Sequence, residues 1–434
     1  MNLLIKSVKI LHSDGTTEKS LNDILIQDGI IQKISVKINP ESNTEVFEGN
    51  GAMVSIGWMD MKANFRDPGH EMKEDLDSGV EAAIAGGFTE VVLMPSTTPP
   101  IQSKADVEYL NNRSKGRLVT VHATGSLSVG RDGKDITEMY DMKRAGAVAF
   151  TDDKRSVADS GLLLRAMQYA KNIGSAVITF ADDKSISGKG LVNEGISSTI
   201  AGLKGMPAFA EELFVNRDLK ICEYTGARLH FSTISTAAAV EMIRAAKQQG
   251  LPVTAEVCAH QLYFDDTVII DYDTNYKVKP PFRLQSDIKA LKEGLKDGTI
   301  DVICSDHSPE DAESKVVEFD FAAFGIAGIE TAFAVAVSAA SEIGIERIVD
   351  AFTTAPRRVL GLTVPEIKVG AKANLTIFDP TQKWMLTEDT IRSKSKNNPF
   401  VNTQLTGKPI AVVNNNKWQL AVAAHSQRSY PQQG

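Results

Sequence analysis

Met53-Val54-Ser55-Ile56-Gly57-Trp58-Met59-Asp60-Met61 is the first of eight apolar runs, each followed by a polar or glycine-rich loop and then by a helical stretch. The other seven are Glu90 to Met94, Leu118 to Ala123, Ala147 to Phe150, Ala176 to Phe180, Arg228 to Phe231, Pro252 to Val257 and Asp301 to Cys304. Between them, Lys73 to Ala85, Asp159 to Asn172, Ala237 to Gln248 and Ser286 to Lys296 repeat their apolar residues at helical spacing. Eight alternations of strand and helix predict an α/β fold of the (β/α)8 TIM-barrel type over residues 56–365. In that architecture sites are built from the loops that follow the strands.

Outside the barrel the pattern is different. Ile24-Leu25-Ile26, the turn Gln27-Asp28-Gly29 and Ile30-Ile31-Gln32-Lys33-Ile34 read as a hairpin. Near the other end, Val369 to Pro380 and Ile410 to Val413 return to strand character. Both chain ends are β-rich, so residues 1–55 and 366–434 are expected to form one discontinuous β-sandwich domain beside the barrel. The polar segment from about Ala424 to Gly434 is expected to be loose.

Composition excludes several classes. Hydrophobic residues make up 42 % and charged residues 24 % of the 434, with a net charge of −8. This argues against nucleic acid and anionic membrane as partners. The amino-terminal residues alternate like a strand rather than forming a signal peptide, and no apolar run is long enough to span a bilayer. Cys222, Cys258 and Cys304 are scattered in apolar segments without a C-x-x-C pair, which predicts three buried free thiols in a reducing cytoplasm.

Chemistry should lie just after the strands. The first run leads into Lys62-Ala63-Asn64-Phe65-Arg66-Asp67-Pro68-Gly69. Further along stand Ala85-Gly86-Gly87-Phe88-Thr89, Met94-Pro95-Ser96-Thr97, Ala149-Phe150-Thr151-Asp152-Asp153, Asn193-Glu194-Gly195, Lys277-Val278-Lys279-Pro280-Pro281 and Ser305-Asp306-His307. These segments, down to Asn398-Pro399-Phe400, resemble the dihydroorotases of the cyclic amidohydrolase superfamily. The likeness is strongest to the type found in bifunctional or complex-forming pyrimidine synthesis.

The resemblance implies a metal site made of two histidines after the first strand, a carboxylate after the fourth, histidines after the fifth and sixth, and a catalytic aspartate after the eighth. Here those positions hold Lys62, Asn64, Asp153, Phe180, Thr233 and Asp306. All four imidazoles are replaced, so neither a metal nor another cofactor is expected, although active relatives use zinc. Asp306 is a vestigial catalytic residue on this reading. Lys62 is expected to substitute for the metal charge by pairing with Asp153 or Asp306, since two converging carboxylates without a counter-cation would repel. Phe180 is expected to fill space that a ligand and metal occupied.

The substrate positions implied by the resemblance have drifted too. Arg66 is retained, whereas Ser96 and Lys279 replace asparagines and Glu310 replaces a histidine. Arg66 is expected to pair with a site carboxylate, and Glu310 to repel an anionic substrate. Of the seven histidines, His12, His70, His122, His230, His260, His307 and His425, none reproduces the family's cluster. A rearranged metal site using His230, His260 or His307 with Asp306 is the lesser reading.

The sequence thus points to a non-catalytic dihydroorotase homologue. The resemblance supplies aspartate carbamoyltransferase as the partner it would scaffold, and a homodimer as its own state. An active dihydroorotase is the alternative. A metal-independent activity using Asp153 and Asp306 as acid and base ranks third.

Overall fold

The computed structural model describes residues 1–421, so the tail from about Ala424, with His425, lies outside the described residues. Eight parallel strands close the predicted barrel: β1 (Trp58–Ala63), β2 (Phe88–Leu93), β3 (Thr120–Ala123), β4 (Ala149–Phe150), β5 (Ala176–Thr179), β6 (Leu229–Phe231), β7 (Val253–Cys258) and β8 (Val302–Cys304). β1 to β3 form one ladder and β4 to β8 another. The bridges Gly125↔Phe150 and Ala63↔His307 join the two into a ring. Most strand residues are buried, which is why they read as apolar runs rather than alternating ones.

The helices follow the periodicity closely. Leu76–Ala85 starts three residues later than Lys73, at the Asp75 cap, whose side chain accepts from the Ser78 backbone. Ser160–Asn172, Ala237–Gln248 and Gln285–Asp297 lie within a residue or so of the expected spans. Among the described residues no helix is long and apolar enough to cross a membrane.

The first apolar run divides at Gly57. Met53–Ile56 pairs antiparallel with Leu375–Phe378 and belongs to the sheet built by the chain ends, whereas Trp58 begins the barrel. A Cβ on Gly57 would stand 1.9 Å from Asn374 Oδ1 and 2.1 Å from Thr89 Oγ1, so only glycine lets the chain pass between the two units. The end sheet runs in the order Lys417–Leu420, Gln404–Asn414, Leu375–Met385, Met53–Ile56, Asn2–Ile10, Asn22–Gln27, Ile30–Ser35, with Glu45–Glu48 also on Asn2–Ile10. Its strands pack Leu3, Ile5, Ile24, Ile31, Leu375, Ile377 and Val413 into one apolar cluster. Residues 369–374, expected to begin a strand, precede it. Trp58 links the units, with its ring centroid 5.2 Å from Phe378 of the end sheet and 4.2 Å from Phe333.

The hairpin turn at Asp28-Gly29 places both residues at positive φ, +49° and +75°. That is the two-residue geometry whose twist matches the flanking strands. A Cβ on Gly29 would meet Asn416 Cβ at 3.1 Å. Gly29→Ala is therefore expected to lower stability by about 1–2 kcal/mol, read as a lower urea midpoint. An unchanged midpoint would show that the turn tolerates the side chain.

Candidate functional site at the barrel mouth

The carboxyl ends of the eight strands bring the sequence-predicted residues to one mouth. Lys62 is the fifth residue of β1 and is fully buried. Its Nζ donates to Asp153 Oδ1 at 2.8 Å and to Ser232 Oγ at 3.0 Å. Burial works against the charge on Lys62, but Asp153, Asp306 and Glu256 outweigh it and hold the amine protonated well above its ordinary range. Burial likewise opposes the charge on Asp153, and Lys62, Lys154 and the Ser96 hydroxyl overcome it, keeping the carboxyl ionised. The expected Lys62 pairing thus falls on Asp153.

Asp306 has its own cation. Lys154 Nζ donates to Asp306 Oδ2 at 2.7 Å, while Oδ1 of the same carboxylate is buried without a hydrogen-bond partner among the described residues. Arg66, Asp153 and Asp306 all take left-handed backbone, with φ of +59°, +54° and +49°. Such conformations cost free energy for residues with a side chain and gather at functional sites. The backbone of the mouth therefore keeps a strained shape although the side chains after β1, β5 and β6 are not imidazoles.

The remaining positions are occupied by internal contacts. Ser96 donates to Asp153 and accepts from Arg131. Arg66 bonds the Pro309 carbonyl and pairs with Glu310 at 2.6 Å, and Lys73 pairs with the same carboxylate. Lys279 pairs with Asp182 at 2.6 Å and lies 5.6 Å from the centre of the Phe180 ring. Phe180 is 3 % exposed. Asn64 is buried and its backbone N–H bonds the His307 carbonyl, while the buried Thr233 hydroxyl has no partner among the described residues.

Among the described residues, most histidines pair with carboxylates other than Asp153 and Asp306. His307 Nε2 faces Glu74 at 3.4 Å, and His230 Nε2 faces Glu256 at 3.4 Å while its Nδ1 meets Thr254 Oγ1. His122 lies inside β3 and meets Glu90 at 2.7 Å. His260 differs: it lies with Cys258 and Asp306, the ligand atoms of all three being within 4.8 Å of one another.

Four members of the mouth were not anticipated. Lys154 had its signal beside Asp153 in the chain, since a cation next to a site carboxylate reaches the same opening. Glu256 lies within the apolar run Pro252 to Val257, where nothing marks it as a site residue. Cys258 was assigned to the core. Asp60 lies in β1, fully buried, and accepts the Ser305 backbone N–H at 2.9 Å and its hydroxyl. Burial pushes its carboxyl up to about 7, against those hydrogen bonds. Folded Asp60 therefore keeps a proton that the unfolded chain has already lost, and unfolding releases it. Stability should fall with rising pH between about 4 and 7 on this account. Asp60→Asn is expected to lose that part of the fall, seen as a pH-dependent difference in unfolding free energy between the two proteins. A difference constant across the window would show that Asp60 does not titrate there.

The mouth does not fit the zinc centre that the resemblance implies. A catalytic zinc needs about three His, Cys or carboxylate ligands and an open position. Among the six positions only Asp153 and Asp306 qualify, and each is held by an ammonium. Lys62 Nζ sits against Asp153 at 2.8 Å and Lys154 Nζ against Asp306 at 2.7 Å, so each carboxylate already has a cation.

Comparison with known proteins gives the lineage. A family model described as dihydro-orotase-like matches residues 51–239. The dihydroorotase of Carboxydothermus hydrogenoformans is 42 % identical over 418 residues, covering 95 % of this chain and 96 % of that protein. The dihydroorotase of Citrifermentans bemidjiense is 39 % identical over 416 residues, covering 95 % and 98 %. Among solved structures, the L-hydantoinase (dihydropyrimidinase) of Arthrobacter aurescens superposes with a TM-score of 0.83 at 24 % identity, covering 96 % of this chain and 95 % of that one. At that identity the likeness is one of fold, and it agrees with a TIM barrel carrying a β unit. With relatives near 40 % identity along almost its whole length, the chain belongs to the dihydroorotase family.

Proposed function

We propose that this protein takes part in pyrimidine biosynthesis without hydrolysing dihydroorotate, as a structural or regulatory partner of aspartate carbamoyltransferase. One observation carries the loss of catalysis: the buried Lys62 ammonium, 2.8 Å from Asp153, takes the place of the cation on which the family's chemistry depends. The Lys154–Asp306 pair and the Arg66–Glu310 pair support it, because they engage the proton-moving carboxylate and the substrate-gripping guanidinium within the protein.

The partner and a homodimeric state rest on the resemblance to complex-forming dihydroorotases. Cytoplasmic residence belongs to the same proposal and is supported by three free, buried cysteines. Mixing the purified chain with aspartate carbamoyltransferase should yield a larger species in light scattering. No such species, and no change in the transferase's activity or assembly, counts against the partner. For the catalytic half, hydrolysis of dihydroorotate is measured with added zinc, and a zinc-dependent rate above the protein-free rate overturns it.

A second reading, an active dihydroorotase, is favoured by one observation: the relatives at 39 % and 42 % identity bear that name. The same assay separates the two.

A further inference from the structure

We propose that Cys258, His260 and Asp306 form a binding site for a thiophilic divalent cation, with zinc the best match. The site goes beyond the proposed function and does not depend on whether dihydroorotate is hydrolysed. It shares only Asp306 with the six positions implied by the family's metal centre.

The fold gathers these donors through neighbouring strands. β7 and β8 are parallel, and Cys258 and Cys304 are register partners at their ends. His260 follows two residues after Cys258 in the turn Ala259–Leu262, and Asp306 follows two residues after Cys304. The sulfur, an imidazole nitrogen and a carboxylate oxygen lie within 4.8 Å of one another. Around a tetrahedral zinc with ligand distances of about 2.0–2.3 Å, donors stand about 3.4–3.7 Å apart. Small side-chain rotations close that difference.

Among the described residues, two donor atoms lack any other partner. His260 Nε2 and Asp306 Oδ1 are buried and accept or donate no hydrogen bond, and their residues are 3 % and 2 % exposed. Buried polar atoms are rarely left so, since each costs about 1–3 kcal/mol. Both residues are also oriented from behind. Lys154 holds the other oxygen of Asp306, and the His260 ring packs edge-on against Phe282 with centroids 5.7 Å apart. Outer contacts that fix a ligand's direction are typical of metal sites.

The donor types select the ion. A thiolate, an imidazole and a carboxylate suit zinc and related transition metals, whereas magnesium and calcium take oxygen ligands. Binding converts the Cys258 thiol to a thiolate, and its proton leaves to solvent as the sulfur–metal bond forms. The thiolate and the Asp306 carboxylate then balance the two charges of the ion.

The test uses the full, untagged chain, stripped with a chelator and titrated with cobalt(II), then with zinc(II). Expected is uptake of one cobalt ion per chain with a thiolate-to-cobalt charge-transfer band in the near ultraviolet, displaced by zinc. Cys258→Ser should abolish the band and Cys304→Ser should keep it. His260→Gln and Asp306→Asn should each weaken cobalt binding by roughly 100-fold or more. No uptake, uptake without the band, or a band that survives Cys258→Ser but not Cys304→Ser overturns the site. If Cys258→Ser fails to fold, X-ray absorption on the zinc-loaded wild type decides. One sulfur neighbour upholds the site and none overturns it.

Discussion

Replacing Lys62 by methionine is expected to lower the free energy of unfolding by about 3–5 kcal/mol, the range seen when one partner of a buried ion pair is removed. Methionine keeps much of the stem and removes the ammonium. Asp153, 6 % exposed, would then retain only the Ser96 hydroxyl as a close donor. Chemical denaturation measures the loss, and Asp153→Asn in the same chain provides the control. If the charge left alone is the cause, the double variant should recover most of the stability. A double-variant loss equal to the sum of the single losses would mean that the two residues do not act as a pair.

The pair also has a pH signature. Asp153 is held below its ordinary value by Lys62 and Lys154 once burial is overcome. Its stabilising contribution is therefore present above the unfolded value of about 3.9 and is lost as pH falls below it. Lys62 is held above its ordinary value by the surrounding carboxylates, again against burial. Its contribution is fully present below about 10.4 and declines as pH rises beyond that. From about pH 4 to 10 this pair should contribute a constant amount, so Asp60 and other buried acids shape the pH dependence of wild-type stability within that window.

Much of this geometry is legible in the residues themselves, and the exceptions have physical causes. The eight strands were readable because a barrel buries both faces of each one and leaves an unbroken apolar run. The break at Gly57 was not, since a residue passing between two sheets leaves no periodicity of its own. Only the absence of room for a Cβ reveals it. That Lys62 pairs with Asp153 or Asp306 follows from the positions the resemblance assigns and from charge, and the structure selects Asp153. The Lys154–Asp306 pair spans 152 residues, and local sequence does not show which of several cations at a mouth a carboxylate will take. Cys258 reads in the sequence as a core thiol, whereas His260 is one of three histidines that the lesser reading places with Asp306. Their convergence with Asp306 appears only once β7 and β8 are placed side by side.

Dihydroorotate added with zinc is expected to be hydrolysed no faster than in protein-free buffer, the largest effect anticipated here. A catalytic zinc lowers the pKa of its bound water from about 15.7 to about 7. At about 1.4 kcal/mol per unit, losing that activation is on the order of ten kcal/mol, or roughly 10⁷-fold in rate. No residue at the mouth offsets this, because Lys62 is itself bound to Asp153 and Ser232. Filling the Cys258–His260–Asp306 site should not rescue the rate. Arg66, a substrate position on the resemblance, is paired with Glu310, which also holds Lys73, and that carboxylate would repel an anionic ligand at Arg66. Equilibrium dialysis with dihydroorotate should accordingly show no saturable binding in either the stripped or the zinc-loaded protein. Turnover that requires zinc and disappears in Asp306→Asn would show that the mouth works as a hydrolytic centre after all, with the lysine pairs opening to admit the metal.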